Sequence, residues 1–220
     1  MDPPRDQGTG PGLVGADACI VVARTAEHRS GLFLVDTPHE LTRNHVLYDG
    51  RHAGTLVLQD SNATLLVEGL DEDIQAHTSR AIDHATVAHC AESLGAMRLV
   101  FDRTREYLLA RSQFGKPIAI NQVLQHRLVE LYVEIEETHA LCHAAAEAPG
   151  PRLVTALAAR TCEVAHLVWE EAVQLHGAIG MTEEYELGAY VRRLALSTSL
   201  YGNKHQHLSR LANLSLGEIT

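Results

Sequence analysis

Two short segments in the second half of the sequence combine residue types that could bind a phosphorylated ligand. The first, residues 110–117 ("ARSQFGKP"), contains Arg111, whose guanidinium is a planar, permanently charged fork suited to a pyrophosphate. The second, residues 174–185 ("QLHGAIGMTEEY"), contains Gly177 and Gly180, which would let main-chain N–H groups lie against the same ligand. Each segment is also typical of a plain helix end or turn, so neither alone assigns a function.

The pattern of apolar residues predicts the elements that hold these segments. After residue 71, apolar side chains return every three or four positions, which favours long helices packed in an antiparallel bundle. Both segments lie at the ends of such helices. The predicted helices cover about residues 71–112, 121–148, 151–175 and 183–197, with a short last helix after residue 203.

The first 70 residues have a different pattern. Short apolar runs rich in β-branched residues alternate with Gly, Asp and Asn, which predicts strands of an antiparallel sheet. So few strands indicate a fragment of a larger sheet, whose open edge needs a cover or a partner. The predicted fold is therefore mainly α: an antiparallel four-helix-type bundle at residues 71–220, preceded by a partial β-sheet at 15–70 and a disordered lead-in at 1–14. The predicted strands are residues 18–24, 31–36, 44–49, 54–60 and 63–69.

Composition and charge exclude several classes of function. The net charge of −10 over 220 residues, without a basic block, argues against a general nucleic-acid binder. Apolar runs are too short for a membrane span, and the N-terminus lacks a signal-peptide pattern. The four cysteines are widely spaced, which predicts reduced thiols. The protein is therefore expected in the cytoplasm, with neither membrane nor nucleic acid as a partner.

Taken together and in this order, the two segments resemble the acyl-CoA dehydrogenase family. That family ends the first long helix of its C-terminal bundle with Arg-x-Gln-Phe-Gly-x-Pro. Further along the chain come Gln-x-x-Gly-Gly-x-Gly, then Glu-Tyr, and then an Arg-rich helix. The resemblance covers most of residues 15–220, and the closing stretch is most similar to small subunits of heteromeric members such as pimeloyl-CoA dehydrogenase. The matching residues are Arg111, Gln113, Phe114, Gly115, Pro117, Gln174, Gly177, Gly180, Glu184, Tyr185, Arg192 and Arg193.

The resemblance implies FAD as cofactor and an acyl-CoA as substrate of α,β-dehydrogenation, with electrons passed to an electron-transferring flavoprotein. It also implies a site shared between subunits of a homo- or hetero-oligomer. In that site Arg111 would bind the pyrophosphate of the FAD held by a neighbouring subunit. Gln113 and Phe114 would also contact this FAD. Asn203 stands where a Thr usually contacts the flavin. The residues implied to flank the ADP part of FAD are Gln174, His176, Gly177 and Gly180.

The catalytic carboxylate of the family has no evident counterpart in this sequence. Tyr201 stands at the usual Glu position, and a phenol is a poor base at neutral pH. Asp83 and Glu92 lie near the position where other members carry the base, but both are expected on a solvated or interhelical face. Ala178 replaces the second glycine of the family's loop, and the family's N-terminal helical domain has no counterpart. The base is therefore expected to come from another chain.

Two non-catalytic or unrelated functions remain open beside the dehydrogenase subunit. The chain could be an oligomerisation or scaffold module, or a truncated inactive homologue, which Tyr201 favours. It could also be a metal-binding bundle, because Glu136, His139 and His143 lie along one helix face with the Glu-x-x-His spacing of ferritin-like sites.

Such a metal site needs a second Glu-x-x-His on another helix. The nearest candidate, Glu163 and His166, is not a convincing second copy. No metal is therefore predicted.

Overall fold

The computed structural model describes residues 8–25, 29–36, 42–58, 61–177, 180 and 185–216. Within these ranges, six strands precede five α-helices, and a short two-stranded hairpin lies between the first two of these helices. The chain divides into two compact units, residues 1–79 and residues 80–220.

The first unit contains two small antiparallel sheets. The sequence predicts a single partial sheet, but the strands pair in two separate groups of three, β1–β5–β4 and β2–β3–β6. The register of β2 on β3 runs from Ala18 opposite Asp36 to Arg24 opposite Ser30. The strands are β1 (Gly8–Pro11), β2 (Ala18–Arg24), β3 (Ser30–Asp36), β4 (Thr42–Val46), β5 (His52–Leu56) and β6 (Thr64–Gly69).

The predicted disordered lead-in is wrong for residues 8–11. These residues form β1, which pairs antiparallel with β5 from Gly8 opposite Leu56 to Pro11 opposite Ala53. Gly and Pro have low strand propensity, so local sequence patterns do not predict this strand. As an edge strand, β1 tolerates Pro11, since only one side of it needs to donate hydrogen bonds. Residues 1–7 lie outside the described part of the chain.

The second unit is the predicted helical bundle. Helix ends agree with the predicted ones to within a few residues, except that the fourth helix begins at Leu187 and the residues just before 185 are not described. Pro151 is at the first position of its helix, where a missing N–H costs nothing. The helices are α1 (Asp71–Ala110), which begins within the first unit, α2 (Gln122–Glu147), α3 (Pro151–His176), α4 (Leu187–Ser197) and α5 (Lys204–Leu216).

Helix α3 lies at the centre of the bundle. Its buried residues include Leu157 and Val164, which have no exposed surface, and several alanines that let neighbouring helices approach closely. Helix α1 contributes Met97 and Val100 to the same core, and α2 contributes Ile135. The predicted fold class, mainly helical with small antiparallel sheets, is confirmed. No helix within the described ranges has the length and apolar character needed to cross a membrane.

The four cysteines are free thiols, as predicted. Cys90 and Cys162 lie in the bundle, where burial raises their pKa to about 12 and about 11, respectively. A thiol that holds its proton is a poor nucleophile. These cysteines therefore serve as core packing.

Substitution of Leu157 by Ala tests the central role of α3. Removing this buried side chain should lower the free energy of unfolding by about 2–5 kcal/mol, because a cavity remains among the helices. The matched control is Leu208→Ala on the exposed side of α5, which should change it by less than about 0.5 kcal/mol. Urea denaturation measures both. Equal losses in the two variants would contradict the assignment of the core.

Candidate functional site

The first sequence segment forms a small β-hairpin at the end of α1. Ser112–Gln113 (β7) pairs antiparallel with Lys116–Pro117 (β8). The two residues between them have positive φ angles, 50° at Phe114 and 77° at Gly115, the conformation of a type I′ turn. Gly adopts this conformation freely, whereas Phe is strained in it. The Phe114 side chain, 103% exposed, therefore projects into solvent from a fixed turn.

The backbone of Arg111 is fixed while its side chain is exposed. Its N–H donates to the carbonyl of Tyr107 at 2.8 Å, and its carbonyl accepts from the N–H of Ile118 at the same distance. The second bond closes the base of the hairpin. The guanidinium makes no ion pair with any residue in the described ranges. Gln113, the next predicted site residue, is also exposed.

The second segment follows the C-terminus of α3. Gly177 caps the helix with φ 64° and ψ −145°, a conformation that side chains disfavour, and a Cβ there would meet open space. Gly180 is needed for a different reason, because a Cβ there would lie 2.9 Å from the Cβ of His176. Gln174 is exposed one turn earlier on α3. Ala178 and Glu184 lie outside the described residues.

Buried His176 connects the C-terminal ends of α1 and α3. Its Nδ1–H donates to the carbonyl of Ala172 at 2.8 Å, and its Nε2 lies 3.4 Å from the Tyr185 hydroxyl. The ring of Tyr107 stacks on it with centroids 4.4 Å apart, and the Tyr107 hydroxyl donates to the His176 carbonyl at 3.3 Å. Tyr107 is four residues before Arg111, one turn back on α1. The C-terminal ends of α1 and α3 therefore meet.

The sequence did not single out Tyr107. Its position one turn before Arg111 was the available signal, because residues four apart share a helix face. Both ring nitrogens of His176 have partners within the chain, the Ala172 carbonyl and the Tyr185 hydroxyl. Its implied contact with the ADP part of FAD stays a prediction.

Asn203 lies in a different part of the bundle. Its Oδ1 accepts from the N–H of Gln206 at 3.0 Å, and the Gln206 Oε1 accepts from the N–H of Asn203 at 2.8 Å. This reciprocal pair is a capping box at the start of α5. The neighbouring carbonyl of Gly202 is 4.0 Å from the Sγ of Cys162, which precedes His176 by fourteen residues, about 21 Å along α3. Within one chain, Asn203 is thus separate from the Arg111 site.

Tyr201 is near Asn203 and also has a left-handed backbone, with φ 57°. Its half-exposed ring lies against His89, with centroids 5.3 Å apart. The two carboxylates closest to the family's alternative base position are both engaged between helices. Asp83 accepts two hydrogen bonds from Arg210, at 2.8 and 3.2 Å, and Glu92 accepts one from Arg193. Both carboxylates thus lie on a solvated or interhelical face, as expected.

The helical Glu-x-x-His residues do not assemble into a metal site. The part of the chain that the structure describes contains no group of three or more His, Cys, Asp or Glu side chains that could hold a metal ion. Glu136 accepts a hydrogen bond from Arg98 at 2.8 Å, and His143 lies nearest to Glu147 of its own helix. The metal-binding interpretation therefore receives no support.

Comparison with known proteins identifies the family. Residues 76–215 match the family model described as "Acyl-CoA dehydrogenase, C-terminal domain". The chain belongs to the acyl-CoA dehydrogenase family. This result confirms the resemblance seen in the sequence. Enzymes of the family are FAD flavoproteins. One matching structure, a glutaryl-CoA dehydrogenase from Mycobacterium smegmatis, was solved in complex with FADH2, with TM-score 0.79 and 23% identity over 96% of this chain and 58% of that one.

Two further relatives cover different shares of the chain. Acyl-CoA dehydrogenase IpdE2 from Mycolicibacterium smegmatis is 34% identical over 129 residues, which are 59% of this chain and 42% of IpdE2. The Tcur3481–Tcur3483 steroid ACAD is 26% identical with TM-score 0.82, over 97% of this chain and 60% of that one. This chain thus spans about two fifths of IpdE2 and three fifths of the solved structure.

The pH dependence of unfolding tests the role of His176. Burial lowers the pKa of His176, while the hydrogen bond to Ala172 acts in the opposite sense. The neutral ring therefore stabilises the fold above the unfolded-state pKa of about 6.5, and this contribution is lost as the pH falls below it. The stability advantage of the wild type over His176→Gln should therefore shrink as the pH is lowered through about 6.5 in urea titrations.

The exposed His205 of α5 supplies the control. His205→Gln removes an exposed imidazole, and its free energy of unfolding is compared with that of His176→Gln at each pH. A wild-type advantage over His176→Gln that stays constant with pH would contradict the proposed burial of a neutral imidazole.

Proposed function

We propose that this chain is a subunit of a FAD-dependent acyl-CoA dehydrogenase that introduces a double bond between the α and β carbons of an acyl-CoA thioester. In this proposal the β7–β8 hairpin reaches FAD held mainly by a neighbouring subunit. Electrons then pass to an electron-transferring flavoprotein. The observation that carries the proposal is Phe114, a wholly exposed ring held in a strained turn three residues from the guanidinium of Arg111. Backbone strain of this kind concentrates at ligand sites.

The chemistry of the described residues fits FAD. The exposed guanidinium of Arg111 can donate two parallel hydrogen bonds to a pyrophosphate, and it makes no ion pair with a described residue that would compete. Open space at Gly177 would let a dinucleotide lie against the main chain at the end of α3. Gln113 and Gln174 offer exposed amides on the same end of the bundle. FAD, when bound, supplies the hydride acceptor of the reaction.

In this proposal another chain provides the catalytic carboxylate. Tyr201 occupies the usual Glu position, while Asp83 and Glu92 are engaged by arginines on other helices. A carboxylate that already accepts hydrogen bonds from a guanidinium is a weak general base. The proposed role of this chain is therefore to complete a partner's cofactor site and to support its fold.

Two matched structures support an assembly of unlike chains. One is the ChsE4–ChsE5 complex from Mycobacterium tuberculosis, which shares the fold with TM-score 0.80 at 23% identity, over 94% of this chain and 58% of that one. The other carries the paired name Tcur3481–Tcur3483. A scaffold module without a role in catalysis is the second candidate function, and the aromatic residue at position 201 favours it.

Flavin retention in the assembled complex tests the shared site. The chain is co-expressed with a full-length acyl-CoA dehydrogenase from the same source, and bound FAD is quantified after purification. Arg111→Ala should weaken FAD binding by about tenfold to a hundredfold, because a charged hydrogen bond contributes about 1.5–3 kcal/mol. Phe114→Ala should reduce FAD content as well. The matched control is Arg105→Ala, which should retain FAD. Arg105 is an exposed arginine on α1 that pairs with Asp102.

Each outcome decides between the two candidate functions. Flavin in the mixed complex that depends on Arg111 and Phe114 supports the shared cofactor site. If the complex stays intact and its FAD content is unchanged in both variants, the hairpin has no role in FAD binding. The scaffold function would then be the remaining candidate.

A further inference from the structure

A short turn, residues 198–203, connects α4 to α5. Its backbone is left-handed at two successive positions, with φ 57° at Tyr201 and 107° at Gly202. Glycine adopts this conformation freely, whereas tyrosine is disfavoured in it. Contacts with the surrounding helices must therefore hold the turn in its observed shape. We name this segment the α4–α5 turn.

Buried His207, on the first turn of α5, makes the closest of these contacts. Its ring donates a hydrogen bond to the backbone of Gly202. A Cβ added at Gly202 would lie 3.0 Å from the His207 Nε2, so the ring packs directly against this glycine. The main chain adds a second link, because the N–H of His207 donates to the Asn203 carbonyl at 3.1 Å. His207 thus holds the α4–α5 turn against α5.

Residues of α1 and α3 contact the same turn and the helix end before it. On α1, the Nε2–H of buried His89 donates to the Ser197 carbonyl at 3.1 Å. On α3, the Sγ of Cys162 lies 3.7 Å from the Thr198 carbonyl. Cys162 is only 8% exposed. The closed turn therefore covers this thiol.

The carboxylates on the neighbouring helices already have cationic partners. Three carboxylates of α1 and α3 accept hydrogen bonds from basic side chains: Asp83 from Arg210, Glu92 from Arg193, and Glu163 from Lys204 and Arg160. Within the described ranges, no residue forms an ion pair with His207. The other titratable side chains around the turn are His89, Cys162, Tyr201 and the exposed His205. A proton on His207 would therefore add a buried positive charge that no carboxylate neutralises.

The closed turn favours the neutral form of the His207 ring. Burial lowers the pKa of His207, and the charge of Arg210 acts in the same sense, while the hydrogen bond to Gly202 opposes both. In an open turn the ring would be hydrated, with a pKa of about 6.5. The proton thus binds more tightly to the open form than to the closed one. Lowering the pH below about 6.5 must then shift the equilibrium towards the open form.

We propose that protonation of His207 opens the α4–α5 turn, which makes this turn a proton-sensitive switch within the bundle. The proton comes from solvent and binds the ring nitrogen that does not donate to Gly202. Opening uncovers Cys162. It also displaces Tyr201 and Asn203, the residues at the family's base and flavin-contact positions. The inference goes beyond the proposed function and does not depend on it, because every contact that it uses lies within this chain.

Labelling of the cysteine thiols in the full chain tests the switch. Dithiodipyridine reacts with thiols in mild acid as well as at neutral pH, and mass spectrometry locates the label. The labelling rate of Cys162, divided by that in His207→Gln at the same pH, should rise by up to about tenfold between about pH 7.5 and about pH 5.5. Comparison at equal pH cancels the pH dependence of the reagent. Cys90, 2% exposed in the core, should stay unlabelled because the opening is local.

Two further variants complete the experiment. His205→Gln is the matched control, because His205 is on the same helix but exposed, and it should keep the acid response of the wild type. Gly202→Ala places a Cβ against the His207 ring at a positive φ. It should open the turn at both pH values, so that Cys162 is labelled rapidly without a further rise in acid.

Three outcomes would overturn the inference. An acid response that persists in His207→Gln assigns the proton to a different group, such as His89. Equal labelling of Cys162 and Cys90 in acid shows that the whole bundle unfolds instead of the turn. A wild-type ratio of Cys162 to Cys90 labelling that stays constant with pH excludes the switch, and this last test does not need a folded His207→Gln chain.

Discussion

Burial of α3 is the constraint on which the rest of the bundle depends. Residues from α1, α2 and α4 complete a single core around it, with Leu157 and Val164 fully enclosed. Because the helix is fixed along its length, its C-terminal His176 is fixed as well. The stacked contact with Tyr107 then holds the last turn of α1 against the end of α3. The position of the candidate site thus depends on core packing, which fixes the helices at this end of the bundle.

Periodicity of apolar residues was sufficient to predict the helices. The pattern in α3 is strong because one face is wholly buried, and punctuation such as Pro151 and Gly177 marks both of its ends. Strands such as β2 were also predicted, because short runs of β-branched residues between turn residues are typical of strands. Strand β1 was not, because its Gly and Pro residues acquire strand geometry only through pairing with β5. Division into two sheets also depends on such distant pairings, which local patterns do not contain.

The candidate site was predictable in residue type but not in arrangement. Arg111 and Gly177 stood out because a permanent charge and a glycine after a helix suggest ligand chemistry. The part played by Tyr107 depends on its contact with α3, sixty-nine residues away in sequence, and nothing local indicates it. Asn203 shows the reverse: a residue with an implied flavin contact has its side-chain oxygen engaged in a helix cap.

The left-handed turn at Phe114 lowers the stability of the isolated chain in favour of contacts made on assembly. An L-residue in this conformation costs about 1–2 kcal/mol relative to Gly, and the exposed ring recovers none of it by burial within the chain. In the proposed assembly, a surface outside the chain would bury the ring and offset that cost.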